Sequence, residues 1–286
     1  MMGKVMTKAL TLSIVIPAYN EESYISQCLD AIAQQTVTPD EVIVVDNNST
    51  DATATIAARY PFVTLISETR QGLYFSRQAG MAAAGGGIIC RIDADTVVDQ
   101  HWVENIKLVF EDHEIDALTG PVGYHDFILP LFGRWCEDKF LRLALAMDYD
   151  FMFGCNMAMR RSVWQKVAPE LCNESYLMED LDITLHLKEH GIYPAYSDAM
   201  SVLVSSRRAE DKPRDFYRYI TGHSRTMKHH DHSVLGARYA EVSFITAYLL
   251  LKPLHMLYDP VTRRLSMRKL LAPSIARPDP MTGEAE

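Results

Sequence analysis

Asp93 and Asp95, one residue apart at the end of the apolar run Ile88-Ile89-Cys90-Arg91-Ile92, carry the most obvious chemical potential in this sequence. On an extended backbone, side chains at i and i+2 share a face, so both carboxylates would project together from the mouth of a buried strand. Two anionic oxygen donors in that position can hold a hard divalent cation that keeps waters and takes its other ligands from phosphates. An Asp-x-Asp pair also simply ends a strand and caps the following turn, and its spacing alone does not separate the two readings. A second acidic cluster, Glu179-Asp180-Leu181-Asp182, opens a helical stretch that runs from Leu181 to His190. A carboxylate at a helix N-terminus lies at the positive end of the dipole and can serve as a base for an attacking hydroxyl. Acids are favoured at helix starts in any case. His223, His229, His230 and His232 could add a metal ligand, with His223 set apart by Arg225 nearby; for each of them a solvated helix face is the plainer account.

These groups must be positioned by an alternation of strands and helices. Leu12 to Ile16 reads as a strand, and Asn20 or Ser23 can cap a helix with Ile25, Leu29 and Ile32 on one face. Glu41 to Val45 forms the next strand, ending at Asp46; the polar loop 47–51 opens a helix through Ala58, and Val63 to Ile66 is a third strand. Gly72 starts a helix through Ala84, and Gly85-Gly86-Gly87, which lacks a phosphate-loop context, turns the chain into the strand leading to Asp93. Such alternation predicts a mostly parallel sheet with helices on both faces and ligands at its C-terminal edge. Beyond residue 115 the expected elements are a strand at Ala117 to Tyr124, a helix at Leu129 to Met147, a short strand at Asn156 to Arg160, and strands near Ile192 to Tyr196 and Ser201 to Val204.

Composition limits the field. The chain has 286 residues, 48% of them hydrophobic, and a net charge of -9, which disfavours nucleic-acid binding. The charge is uneven: residues 1–200 hold 14 Lys+Arg against 28 Asp+Glu, whereas residues 201–286 hold 14 against 9. Five cysteines form no Cys-x-x-Cys pair, consistent with free thiols in a reducing compartment. Leu10 to Ile16 follows a weakly basic start, but Pro17 and a polar segment come next, so a first buried strand fits better than a signal peptide.

Five segments then form an ordered set. Ile14-Val15-Ile16-Pro17-Ala18-Tyr19-Asn20-Glu21-Glu22, Val44-Val45-Asp46-Asn47-Asn48-Ser49-Thr50-Asp51, Gly72 with Arg77-Gln78-Ala79-Gly80, Asp93-Ala94-Asp95 and Glu179-Asp180-Leu181-Asp182 resemble, in order, the motifs of the family 2 glycosyltransferases. The likeness covers residues 11 to about 230. It implies a GT-A fold, a Rossmann-like, mostly parallel α/β sheet flanked by helices, and inverting transfer of a sugar from a nucleotide diphosphate. By that resemblance Pro17, Tyr19 and Glu21 would line the nucleotide pocket, Asp46 would contact the base or ribose, and Arg77 would help to hold the nucleotide. Asp93 and Asp95 would engage ribose and a Mg2+ or Mn2+ ion on the diphosphate, with His223 as a third ligand. Asp180 would be the general base, Glu179 would belong to the donor site, and Gly154 would border the donor sugar, although a plain turn also explains that glycine. Gln78 stands where an Asn is frequent. No Gln-x-x-Arg-Trp motif occurs, which speaks against a processive polymerase.

The resemblance divides the chain into a catalytic domain over residues 1–232, with a nucleotide-binding half at 11–115 and an acceptor half at 116–232, and a C-terminal amphipathic helical extension and tail over 233–286. The expected partners are a UDP-, GDP- or dTDP-sugar and a glycan or polyprenyl-linked acceptor, and the expected pathway is surface polysaccharide or glycolipid synthesis. Val242 to Tyr258 is apolar but only 17 residues long and interrupted by Lys252, Pro253 and His255, short of a membrane span. It could lie in the bilayer interface, with Arg263, Arg264, Arg268 and Lys269 meeting headgroups, or pack on the domain; Phe127 to Trp135 offers a second such patch. The expected location is the cytoplasm, with peripheral contact at the cytoplasmic membrane face. Arg207, Arg208 and Arg225 could pair with a diphosphate or form ordinary basic surface. Two other readings are a nucleotidyltransferase, which would carry a Gly-rich basic loop after its first strand, and a non-catalytic nucleotide-sugar-binding protein, which would not need every acid present.

Overall fold

The computed structural model describes residues 10–127, 151–174, 176–259 and 264–265. Its first half alternates as the periodicity predicts: β1 (Leu12–Ala18), α1 (Ile25–Ala33), β2 (Glu41–Asp46), α2 (Thr53–Ala57), β3 (Val63–Ser67), α3 (Leu73–Ala83), β4 (Ile88–Arg91) and then β5 (Val97–Val98) and α4 (Trp102–Val109). The second half contributes β6 (Ala117–Thr119), β7 (Val122–Tyr124), β8 (Met157–Arg160), α5 (Arg161–Val167), α6 (Glu179–Glu189), β9 (Ala195–Tyr196) and β10 (Val202–Val204). A 3-10 turn at Arg207–Glu210 leads to α7 (Pro213–Ile220), α8 (Gly222–His229), the long α9 (Leu235–Leu257), β11 (Tyr258–Asp259) and β12 (Arg264–Leu265).

Seven strands form the main sheet in the order β3-β2-β1-β4-β8-β6-β9. The pairs among β3, β2, β1 and β4 are parallel, β8 runs antiparallel to both of its neighbours, and β9 is parallel to β6. Both faces are covered, and the strands split their side chains accordingly. Ile14, Ile16, Val42, Val44, Ile88 and Cys90 meet α1 and α4 through Ile25, Leu29, Ile32, Trp102 and Ile106. Val15, Ile43, Val45 and Ile89 pack on the opposite side with Met81, Trp164, Val167, Ile183 and Leu187. Near-continuous apolar runs in β1, β2 and β4 are what two-sided burial demands. The strand order reverses between β1 and β4, the place where an open α/β sheet leaves a crevice at its C-terminal edge.

Several local expectations are corrected. Neither Asn20 nor Ser23 caps α1, which starts at Ile25 with Tyr24 before it and no side-chain cap. Asn20 instead takes a left-handed conformation, φ 53°, that turns the chain toward the loop after β2. The single strand expected at Ala117 to Tyr124 is two, because Gly120 and Pro121 move the chain from the main sheet into a small sheet of order β5-β10-β7. Gly120 has no room for a side chain, since a Cβ would lie 2.1 Å from the Met200 carbonyl oxygen. The segment 205–230, read only as a place for basic residues and histidines, contains α7 and α8. The helix expected at 129–147, Cys136, most of the patch from Phe127 to Trp135, and Arg263, Arg268 and Lys269 lie outside the described residues.

Gly80, in the Arg77-Gln78-Ala79-Gly80 segment, shows how closely α3 approaches the sheet. A Cβ at that position would lie 2.4 Å from Val15 Cγ1 and 2.8 Å from Val45 Cγ2. Gly80→Ala should therefore destabilise the fold by about 1–3 kcal/mol through overpacking, read as a lower urea midpoint with an unchanged slope. A loss below about 0.5 kcal/mol would mean that α3 can move off the sheet freely.

Candidate functional site

The crevice is built from loops that hold one another. Backbone N–H groups of Asn20 and Glu21 donate to Ser49 Oγ at 3.1 Å and Thr53 Oγ1 at 2.7 Å, and Thr50 N–H donates to Asn20 Oδ1 at 2.8 Å. These bonds stitch the loop after β1 to the loop after β2, which explains why the polar residues of both motifs are short donors and acceptors rather than arbitrary loop residues. Asn47 extends the stitch: its amide donates to the Glu68 and Arg70 carbonyls, and its Oδ1 accepts from Gly72 N–H. Pro17 and Asp46 sit at the C-terminal ends of β1 and β2, in adjacent paired strands, with Tyr19 and Glu21 in the loop immediately beyond. Asp46 is buried and accepts a long bond from Ser49 N–H at 3.4 Å.

Asp93 and Asp95 are placed differently from the expectation. The strand ends at Arg91, and Thr96 N–H donates to the Asp93 carbonyl at 3.0 Å, so the pair lies on a turn and the shared-face rule for extended chain does not apply. Asp93 stays partly exposed, 3.8 Å from an Arg77 Nη, whereas the buried Asp95 lies 3.1 Å from an Arg207 Nη. Arg207 also donates both Nη groups to Glu21, at 2.7 and 2.5 Å, and stacks 4.6 Å from the Tyr24 ring centroid. Burial works against the Arg207 charge, but the Glu21 hydrogen bonds and the Asp95 and Glu21 charges outweigh it and raise its pKa. Ordinary basic surface is thus the wrong reading for Arg207. Arg208 is likewise engaged, 3.5 Å from the Tyr219 centroid, and Arg225 donates to the Arg218 carbonyl.

The three acids at the start of α6 go to three different places. Glu179 receives hydrogen bonds from the guanidinium groups of Arg77 and, at 2.6 Å, Arg91. Arg91 is 1% exposed on β4 and also donates Nε to the Gly154 carbonyl at 2.7 Å. Burial opposes the charge of Arg77, and the charges of Glu179, Asp93 and Asp180 overcome that and raise its pKa. Asp180 accepts from the backbone N–H of Gly154 at 3.1 Å and of Leu181 at 2.9 Å. Asp182 turns away into the protein, where it meets Cys172 and His230. Gly154 is required by packing, since a Cβ would come within 1.9 Å of Arg91 Nη2 and 3.1 Å of Asp180 Oδ2. The arginine that makes this so was not singled out from the sequence. An Arg inside an otherwise apolar strand, Ile88-Ile89-Cys90-Arg91-Ile92, was the signal that could have found it.

His223 is buried in α8 with its ring edge-on to Phe151, 6.3 Å between centroids. Burial pushes its pKa down, partly offset by the charges of Asp180 and Glu241. Among the described residues, Asp93, Asp95 and His223 do not bring three ligand atoms within 4.8 Å of one another. His230, expected on a solvated face, is instead largely buried and lies 2.7 Å from Asp182 Oδ1.

Residues 13–167 match the family model described as Glycosyl transferase family 2. The chain is 30% identical over 177 residues to Glycosyltransferase AglE of Haloferax volcanii, covering 57% of each chain. It is 24% identical over 276 residues to Probable glycosyltransferase YdaM of Bacillus subtilis, covering 87% of this chain and 60% of that one. It therefore spans less than two thirds of the length of either relative. Among solved structures, the mannosyltransferase PcManGT from Pyrobaculum calidifontis in complex with GDP-Man and Mn2+ superposes with a TM-score of 0.58 at 18% identity, covering 87% of this chain and 76% of that one. S. aureus TarS 1-349 in complex with UDP-GlcNAc gives 0.55 at 17% identity, covering 85% and 72%. Both share the fold.

The Glu179 contacts carry a measurable consequence. Glu179→Gln keeps the shape but leaves the buried Arg91 without a carboxylate and Arg77 with only its 3.8 Å contact to Asp93, and should cost about 3 kcal/mol or more. Urea unfolding reads this directly; a loss under about 1 kcal/mol would mean that solvent, not Glu179, balances Arg77 and Arg91.

Proposed function

The chain belongs to glycosyl transferase family 2, and from that premise we propose that it transfers a sugar, with inversion, from a nucleotide diphosphate donor to an acceptor hydroxyl or phosphate, with the help of a divalent cation. The observation that carries this reading is the position of Arg77. One guanidinium touches Asp93 on the turn after β4 and Glu179 at the start of α6, so the turn that would face the diphosphate and the helix that presents Asp180 are joined by a single side chain.

In this reading the donor nucleotide lies across the loops after β1 and β2, against Pro17, Tyr19, Glu21 and Asp46. The donor set at the crevice suits a hard cation: Asp93 is accessible, Asp95 supplies a second carboxylate, and a diphosphate supplies further oxygens. Asp95 and Asp93 would hold Mg2+ or Mn2+, whose charge disperses the negative charge developing on the departing diphosphate. Arg207 already neutralises Asp95 and Glu21, and it is placed to pair with a phosphate oxygen when a cation takes its share of Asp95. Asp180 accepts the proton of the attacking hydroxyl as the new glycosidic bond forms on the face opposite the breaking bond. The backbone bonds from Gly154 and Leu181 fix that carboxylate. Gly154 borders the donor sugar, and Glu179 acts on the donor side through Arg77.

Expected outcomes follow for donor and base. UDP-, GDP- or dTDP-sugars should raise the apparent melting temperature with Mn2+ and much less without it, and Asp95→Asn should remove the Mn2+ effect. With a hydroxyl acceptor, Asp180→Asn should lower kcat by roughly 10²–10⁴ while donor-induced stabilisation persists. Full turnover in Asp180→Asn would remove it as the base, and donor binding without turnover or hydrolysis in the wild type would favour a non-catalytic nucleotide-sugar-binding protein.

The acceptor reading rests on α9. One side of this helix packs through Ala237, Ala240 and Tyr248 against α7 and α8, while Val242, Leu249 at 60% and Leu250 at 69% exposure form an apolar outer side. No described helix is long and apolar enough to cross a membrane. The outer side of α9, followed in sequence by Arg263, Arg264, Arg268 and Lys269, supports peripheral contact with an anionic bilayer and a polyprenyl-linked acceptor, in a pathway of surface polysaccharide or glycolipid synthesis. A phosphate acceptor is already anionic and would depend less on Asp180. Co-sedimentation with phosphatidylglycerol vesicles should occur and should weaken at least tenfold in Leu249→Glu/Leu250→Glu. No binding by the wild type would favour a water-soluble glycan acceptor.

A further inference from the structure

On the side of α6 away from Asp180, Cys172, Asp182, His186 and His230 bring one ligand atom each within 4.8 Å of one another. We propose that these four side chains form a tetrahedral zinc site, separate from the Asp93–Asp95 crevice, that clamps α6 to the loop before it and to the end of α8.

The distances suit that ion. Zinc bonded at about 2.0–2.3 Å to N, O and S donors spaces neighbouring donors by about 3.3–3.8 Å. Cys172 Sγ lies 3.9 Å from His230 Nε2, and His186 Nε2 lies 3.7 Å from Asp182 Oδ1. The shorter 2.7 Å contact between His230 Nε2 and Asp182 Oδ1 is the hydrogen bond that an ion would replace. One thiolate, two imidazoles and one carboxylate form a soft-to-borderline donor set, unlike the all-oxygen set expected for Mg2+ or Mn2+.

Hydrogen bonding supplies an independent observation. His186 is 8% exposed, and its Nε2 makes no hydrogen bond although it faces the cluster. Its Nδ1 lies 2.9 Å from Glu189 Oε2, so the ring donates there and leaves the Nε2 lone pair aimed inward. His230 Nδ1 lies 3.9 Å from the other oxygen of the same carboxylate. A carboxylate behind the distal nitrogen of each imidazole is the arrangement that orients histidine ligands on a metal. Asp182, 1% exposed, is held on its other oxygen by the Cys172 N–H at 3.0 Å. Zinc binding would release the Cys172 thiol proton to solvent and shift the His230 ring proton from Nε2 to Nδ1, toward Glu189.

Asp182 and His186 are one helical turn apart on α6, Cys172 lies in the preceding loop, and His230 directly follows α8. The ion would therefore fix the first turn of the helix whose opposite side presents Asp180. The test uses the full chain, stripped with EDTA and free of nucleotide, titrated with Co2+ and separately with Zn2+. Expected are saturation at about one ion per chain, a near-ultraviolet thiolate-to-Co2+ absorption band that Cys172→Ser abolishes, and at least tenfold weaker binding in Glu189→Gln. No thiolate band in the wild type, or one that survives Cys172→Ser, overturns the proposal. If Cys172→Ser does not fold, alkylation of the wild type followed by mass spectrometry replaces it: Zn2+ should slow modification of Cys172 at least tenfold, and equal modification with and without Zn2+ overturns the site.

Discussion

Two arginines that share one carboxylate organise this molecule. Arg91 extends from the central strand β4, Arg77 from α3, and both end on Glu179 at the first residue of α6. Guanidinium groups this far from water carry a desolvation cost that a hydrogen-bonded carboxylate must offset. The offset is available only when α6 docks with its N-terminus at the sheet edge. The same docking brings Gly154 against Arg91 and its N–H against Asp180. An electrostatic requirement of the core thus fixes the spacing between the turn after β4 and the Asp180 carboxylate.

The N-terminus of α6 consequently does three jobs with three acids. Successive residues on a helix point about 100° apart, so Glu179, Asp180 and Asp182 leave the backbone in different directions. Glu179 faces the buried arginines, Asp180 faces the Gly154 backbone N–H, and Asp182 faces Cys172, His186 and His230. Helix-start preference explains why acids are stable in the first turn. It does not explain why each has its own buried partner, and that division makes the segment more than a capping sequence.

At the opposite wall of the crevice Arg207 performs a related task. It joins residues 186 positions apart in sequence when it binds Glu21, and it neutralises Asp95 at the same time. Without a cation of some kind, two carboxylates facing one another in a partly buried cleft would repel. Arg207 therefore stabilises the crevice in the absence of ligand.

Much of the architecture was legible in the residues themselves. The apolar runs of β1, β2 and β4, the amphipathic spacing of Ile25, Leu29 and Ile32, and the ordered motifs from Pro17 to Asp182 determined a mostly parallel sheet with its polar residues gathered at one edge, because strand and helix periodicities are local and burial enforces them. What remained hidden depended on contacts between distant segments. Asp93 and Asp95 were read as sharing a face, but a hydrogen bond from Thr96 curls them into a turn and sends them to different arginines. From the residues alone Arg207 could be a diphosphate partner or basic surface and His230 a metal ligand or a solvated helix face, since exposure is a property of neighbours and theirs come from Glu21 and Asp182. The order and types of residues determined which elements form and which end of the sheet carries the acids. Only the tertiary structure decided which charge meets which, because partner choice is set by distances that local sequence does not encode.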